Sequence, residues 1–145
     1  MSLILLVDLD DTLLQNDIDI FLPHYLKALS GHLAGRFHSE SFVRYLLAAT
    51  QRMVENRDPA SRLEEVFDRA FYPALQTTKQ DLDETLQSFY RDVFPSLRPL
   101  TQPRPDAQAL VKEAFARGCQ VVVATNPLFP ATAIHQRLEW AGLSP

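Results

Sequence analysis

The segment that most restricts this chain is its first. An apolar run, Leu3 to Val7, leads straight into three carboxylates, Asp8, Asp10 and Asp11, followed by Thr12. The stretch Leu3 to Leu9 is apolar on both faces, where a half-exposed strand would alternate. That pattern belongs to a central parallel strand with cover above and below, so it predicts an α/β chain. A buried strand that ends in clustered like charges is costly unless a cation or a reaction uses them.

Helical periods dominate the middle of the chain. A turn is expected around Gln15 to Asp17. Ile18, Leu22, Tyr25, Leu29 and Leu33 then keep to one helical face, with Pro23 tolerable only in the first turn. Phe42, Tyr45, Leu46, Ala49 and Met53 predict a second helix, broken at Asp58-Pro59. Leu63, Val66, Phe67, Ala70 and Phe71 predict a third, ended by Pro73. Thr78 and Asp81 have the spacing of a capping box, with Asp in place of the preferred Glu, ahead of a fourth helix carrying Leu82, Leu86, Phe89, Tyr90 and Val93.

Pro95, Pro99, Pro103 and Pro105 read as a stiff connector and a boundary. Pro105-Asp106 opens a fifth helix with Ala107, Leu110, Val111, Ala114 and Phe115 inward, and Gly118 stands at its C′ position. Gln120 to Thr125 is a second buried strand, rich in β-branched residues. A last helix runs from about Pro130 to Ala141 and stops at Gly142. The helix directly before the second strand implies a parallel crossover.

In open parallel sheets, ligands sit outside the carboxyl ends of the strands. Both predicted strands end there in polar residues: Asp8, Asp10, Asp11 and Thr12 on the first, Thr125 and Asn126 on the second. Asp8 and Asp10 are two apart, so extended geometry puts them on one side. A hard divalent cation such as Mg²⁺ would relieve their repulsion.

Val7-Asp8-Leu9-Asp10-Asp11-Thr12 resembles the first motif of the haloacid-dehalogenase-like hydrolases, Asp-x-Asp-x-Thr after a hydrophobic strand. Val121 to Asn126 is similar to that superfamily's second motif, a hydrophobic strand ending in Thr or Ser. The resemblance implies a partial Rossmann-like parallel sheet core over residues 1–16 and 96–145, with an inserted helical cap over 17–95. It implies a Mg²⁺-dependent phosphatase of small phosphorylated metabolites. Asp8 would be the nucleophile that forms an aspartyl-phosphate, and Asp10 the general acid and then base. The Asp8 carboxylate and the Asp10 backbone carbonyl would ligate Mg²⁺. The Thr125 hydroxyl, with Asn126 and neighbouring amides, would bind the phosphoryl oxygens. A carboxyl acid at position 10 favours phosphoester hydrolysis over dehalogenation, because an alkoxide needs a proton and a halide does not. Thr12 is expected to fix the loop, and Asp11 to be a solvated charge or a loop hydrogen bond.

The superfamily's third and fourth motifs, a Lys and a later acidic group, do not appear. The only candidates for a cation after residue 119 are Arg137 and His135, both inside the last helix. The expectation is therefore the N-terminal part of a larger hydrolase, with the cap complete, the core incomplete and little activity in these residues alone. Without the missing neighbour, Leu3 to Val7 would form an open sheet edge through which chains could self-associate.

Two other classes compete. One is a non-catalytic binding or assembly module that keeps the cap and part of the core. The other is a receiver-like signalling domain, which alternates strand and helix steadily and so disagrees with the long helical insertion. A net charge of −4 gives no basic field for nucleic acid. The five-residue apolar run is neither a signal peptide nor a membrane span. A single cysteine, Cys119, excludes an internal disulfide and suits the cytoplasm. His24, His32, His38 and His135 lack metal-ligand spacing and are expected at the surface. Arg36, Arg44, Arg52 and Arg57 are expected on solvated helix faces.

Overall fold

The structure, a computed structural model, describes residues 3–143. Residues 1, 2, 144 and 145, which the sequence assigns to the ends of the core segments, lie outside the described residues. The chain is mixed α/β and divides into two compact units, Met1–Leu22 with Ser96–Pro145, and Pro23–Pro95.

In the first unit, β1 (Ile4–Val7) pairs in parallel with β4 (Gln120–Val123), in the register Ile4↔Gln120 to Val7↔Val123. The helix α5 (Pro105–Ala116) precedes β4 and packs against it. Val111 and Ala114 are its buried residues. Its end is a Schellman turn: Gly118, at φ 74°, donates to the Phe115 carbonyl, and the Cys119 N–H reaches Ala114 at 2.9 Å. The same device closes α6 (Ala131–Trp140), where Gly142 has φ 77° and Leu143 N–H bonds the Leu138 carbonyl. At Gly142 the close approach of the Gln108 side chain, which donates to the Ala141 carbonyl at 2.6 Å, also leaves no room for a Cβ.

Three expectations for this unit need correction. The first strand is not covered on both faces. Val7 is buried, but Ile4 and Leu6, which share the opposite face, are 59% and 64% exposed, and Val122 beside Leu6 is exposed as well. Among the described residues the sheet has only two strands and β1 is an edge. The fifth helix buries a narrower face than its period implies, leaving Leu110 and Phe115 in solvent. The region read as a turn and a proline connector holds a second sheet. There β2 (Leu14–Asn16) pairs antiparallel with β3 (Thr101–Pro103), and α6 packs on both.

The second unit is helical. The helix α1 (Ile18–His32) begins in the first unit and supplies Tyr25 and Leu29 to the second unit's core. Pro23 lies in its second turn, not its first, so the helix continues past a missing N–H to Asp19. Phe21 carries the buried stripe at its start, and Ile18 is exposed. The helix α2 (Ser39–Glu55) buries Phe42, Leu46, Ala49 and Met53 against α3 (Leu63–Ala74), with Phe42 and Phe71 edge to face at 5.7 Å. Pro73 sits inside α3, which ends one residue later. The capping box is present on α4 (Lys79–Ser88): the Thr78 hydroxyl accepts from Asp81 N–H, and the Asp81 carboxylate accepts from Thr78 N–H. A π-helical turn (Phe89–Val93) and a 3₁₀ helix (Phe94–Leu100) follow, where a single helix and then a connector were expected. The wide turn lets Phe94 N–H bond the Phe89 carbonyl, and Phe89, Tyr90 and Phe94 are all buried.

Candidate active site

Parallel pairing brings the carboxyl ends of β1 and β4 side by side, with Ala124 N–H still bonded to the Val7 carbonyl at 2.7 Å. Continuing the register past Val7↔Val123 sets Asp8 level with Ala124, one residue before Thr125. Asp8 is exposed, and its carboxylate accepts the Leu9 N–H at 2.8 Å. Thr125 is half-buried and Asn126 exposed, and the Asn126 carbonyl accepts from Leu128 N–H at 2.9 Å.

The loop after β1 is held by apolar anchors and backbone bonds. Leu9, Leu13 and Leu14 are buried, and the Leu9 carbonyl accepts from the N–H groups of Thr12, Leu13 and Leu14. Asp11 turns the chain at φ 54°, a left-handed position that Asp tolerates better than most residues. Its carboxylate accepts Asn16 N–H at 3.0 Å, and its carbonyl accepts from Arg104. Asp11 is thus a loop residue, and Thr12 is exposed beside it.

Asp10 is the most heavily engaged acid of the cluster. Its carboxylate forms an ion pair with Arg137, with Nη1 at 3.4 Å from the second oxygen, and accepts from the Asn16 side-chain amide at 3.0 Å. The Arg137 side chain is only 1% exposed. Its guanidinium lies 5.4 Å from the Phe21 ring and 5.3 Å from the Phe129 ring, beside a pair of rings that meet edge to face. The Arg137 Nε and the Asn16 Oδ1 are buried without a partner among the described residues. Neither Arg137 nor Asn16 was a site residue on sequence grounds. Their signal is three-dimensional: Arg137 lies 127 positions from Asp10.

The donor set suits Mg²⁺ in kind. The ion takes one or two carboxylates and completes its shell with water and phosphate oxygen. Asp8 offers an exposed carboxylate without a cationic partner, while the Asp10 carboxylate is occupied by Arg137 and Asn16. No group of three potential metal-binding side chains occurs among the described residues.

Elsewhere the arginines have local work. Arg36 donates to the Asp81 carbonyl at 2.7 Å, Arg57 reaches carbonyls at the end of α2, and Arg44 stacks on Tyr45 at 5.1 Å. Arg52 and Arg69 line an open groove of about 570 Å³ against α2 and α3 within the second unit. All four histidines are exposed, and Cys119 is half-buried. Among the described residues no helix is long and apolar enough to cross a membrane. No protein-family model, no curated protein and no solved structure matches this chain.

Proposed function

We propose that this chain carries the nucleophile half of a haloacid-dehalogenase-like phosphohydrolase site, on a Rossmann-like core with a helical cap, acting on a small phosphorylated metabolite. The observation that carries the reading is the parallel pairing of the two strand ends, which sets Asp8 one residue past Val7 and Thr125 two past its partner Val123, with the Asp10 carboxylate held by Arg137 and Asn16. Asp8 attacks phosphorus through a carboxylate oxygen, the P–O bond to the leaving group breaks, and that oxygen takes a proton from Asp10. Asp10 then takes a proton from the water that hydrolyses the phosphoryl-aspartate. Thr125 and Asn126 donate to the phosphoryl oxygens.

When bound, Mg²⁺ would offset the charge that Asp8 and the phosphoryl group bring together; the Asp8 carboxylate and the Asp10 backbone carbonyl are the residues that would hold it. The single cysteine and the lack of a basic field support a cytoplasmic small-molecule role over a nucleic-acid role. The site contains no Lys among the described residues, so turnover by these residues alone should be slow, and the bond-forming step is the better thing to observe. Incubation with an aryl phosphate and Mg²⁺ should place one phosphoryl group on Asp8 and release the aryl alcohol; Asp8→Asn should do neither. The non-catalytic reading draws on one observation, that the Asp10 carboxylate is already satisfied within the protein, and it predicts no adduct.

A further inference from the structure

Burying a guanidinium to 1% exposure is costly unless something in the fold needs it there. Two aromatic rings and Asp10 hold Arg137, and its Nε has no partner among the described residues. What the arrangement does fix is the direction of one carboxylate. Arg137 and Asn16 engage both oxygens of Asp10, while Asp8, two residues earlier, meets no cation among the described residues.

We propose that Arg137 is a positioning residue that, with Asn16, keeps the Asp10 side chain from ligating the metal and leaves that role to the Asp8 carboxylate. The inference rests on the phosphohydrolase reading of Asp8 and Asp10 and deepens it: one of two neighbouring acids serves the cation, and the other is reserved for the proton.

The test is Mg²⁺ binding to the full chain, with the metal alone, followed by calorimetry or by amide shifts at fixed ionic strength. In Arg137→Met the freed Asp10 carboxylate and the lost positive charge should tighten Mg²⁺ binding about fivefold. Arg137→Lys, which keeps the charge, should stay near the wild type. In the double variant Asp10→Asn/Arg137→Met, which removes both charges together, affinity should remain within about twofold of the wild type, since no ligand is lost. An Arg137 that acts through its charge alone would tighten Mg²⁺ binding by the same factor in the Asp10→Asn background as in the wild type, whereas a positioning Arg137 needs the Asp10 carboxylate for most of its effect. The phosphoryl group on Asp8 should also persist longer in Arg137→Met.

A fall or no change in affinity in Arg137→Met, a large loss in the double variant, or no Mg²⁺ binding by any form including the wild type would overturn the inference. The double variant guards against a folding failure of the single one, because replacing a buried ion pair by neutral groups is usually tolerated. If phosphoryl transfer to Asp8 occurs but Mg²⁺ binding does not respond as stated, the inference alone falls. If Mg²⁺ binding responds but Asp8 never carries phosphate, the hydrolase reading falls instead.

Discussion

Asp8 and Asp10 show how two like residues two positions apart come to differ. One is solvent-facing and accepts its neighbour's N–H; the other is tied to a buried cation and an amide. Their identity and spacing were legible in the sequence. The environment that separates them was not, since Arg137 reads there as a cation inside the last helix, with nothing to link it to Asp10, and Asn16 as part of a turn. A second residue pair has a consequence for pH. Tyr25 and Tyr90 share a hydroxyl–hydroxyl bond of 2.9 Å in the core of the second unit. Burial pushes Tyr25 up to about 12 and raises Tyr90 well above its usual value. The folded state therefore keeps protons that the unfolded chain releases. The stability from this pair is complete below about pH 10 and is lost as pH rises through about 12. Denaturant unfolding followed from about pH 8 to 12 should show that fall, and Tyr25→Phe should flatten it; a fall of equal size in the variant would contradict this.

At the scale of elements, helices with a wide apolar stripe could be read directly. The face predicted from Phe42, Leu46, Ala49 and Met53 is the buried face of α2. Short strands could not be read, because three residues such as Leu14–Asn16 carry no period and depend on a partner 85 or more positions away. Prolines misled in one direction, toward breaks where regular structure continues. Pro23 and Pro73 sit inside helices that tolerate one missing donor, and the proline-rich stretch after Phe94 is largely helix and strand. The capping box was legible because its bonds are local. The Asp81 carboxyl is held below its usual range by the bonds from Thr78, so the cap weakens as pH falls into the carboxylate range. Thr78→Ala should cost about 1 kcal/mol in denaturant unfolding, with amide exchange quickening first in α4. A cost near zero would mean that the cap adds nothing in this fold.

For the whole molecule, the two-unit division at 22/23 and 95/96 and the open face of the small parallel sheet decide behaviour in solution. Ile4, Leu6 and Val122 expose one apolar face beside an unpaired strand edge, a surface prone to join another of its kind. Sedimentation should show concentration-dependent association, reduced by Leu6→Lys; equal association in that variant would exclude this face. The central claim remains chemical: Asp8 takes the phosphoryl group, and Asp10 moves the protons. Intact-mass and peptide analysis after exposure to an aryl phosphate with Mg²⁺ tests it most directly. With so good a leaving group, loss of the Asp10 carboxyl should slow hydrolysis more than attack, so Asp10→Asn should accumulate phosphoryl-Asp8 above the wild type, and Asp8→Asn should show none. Absence of any adduct on Asp8 in both the wild type and Asp10→Asn, or an adduct that survives Asp8→Asn, would contradict the account.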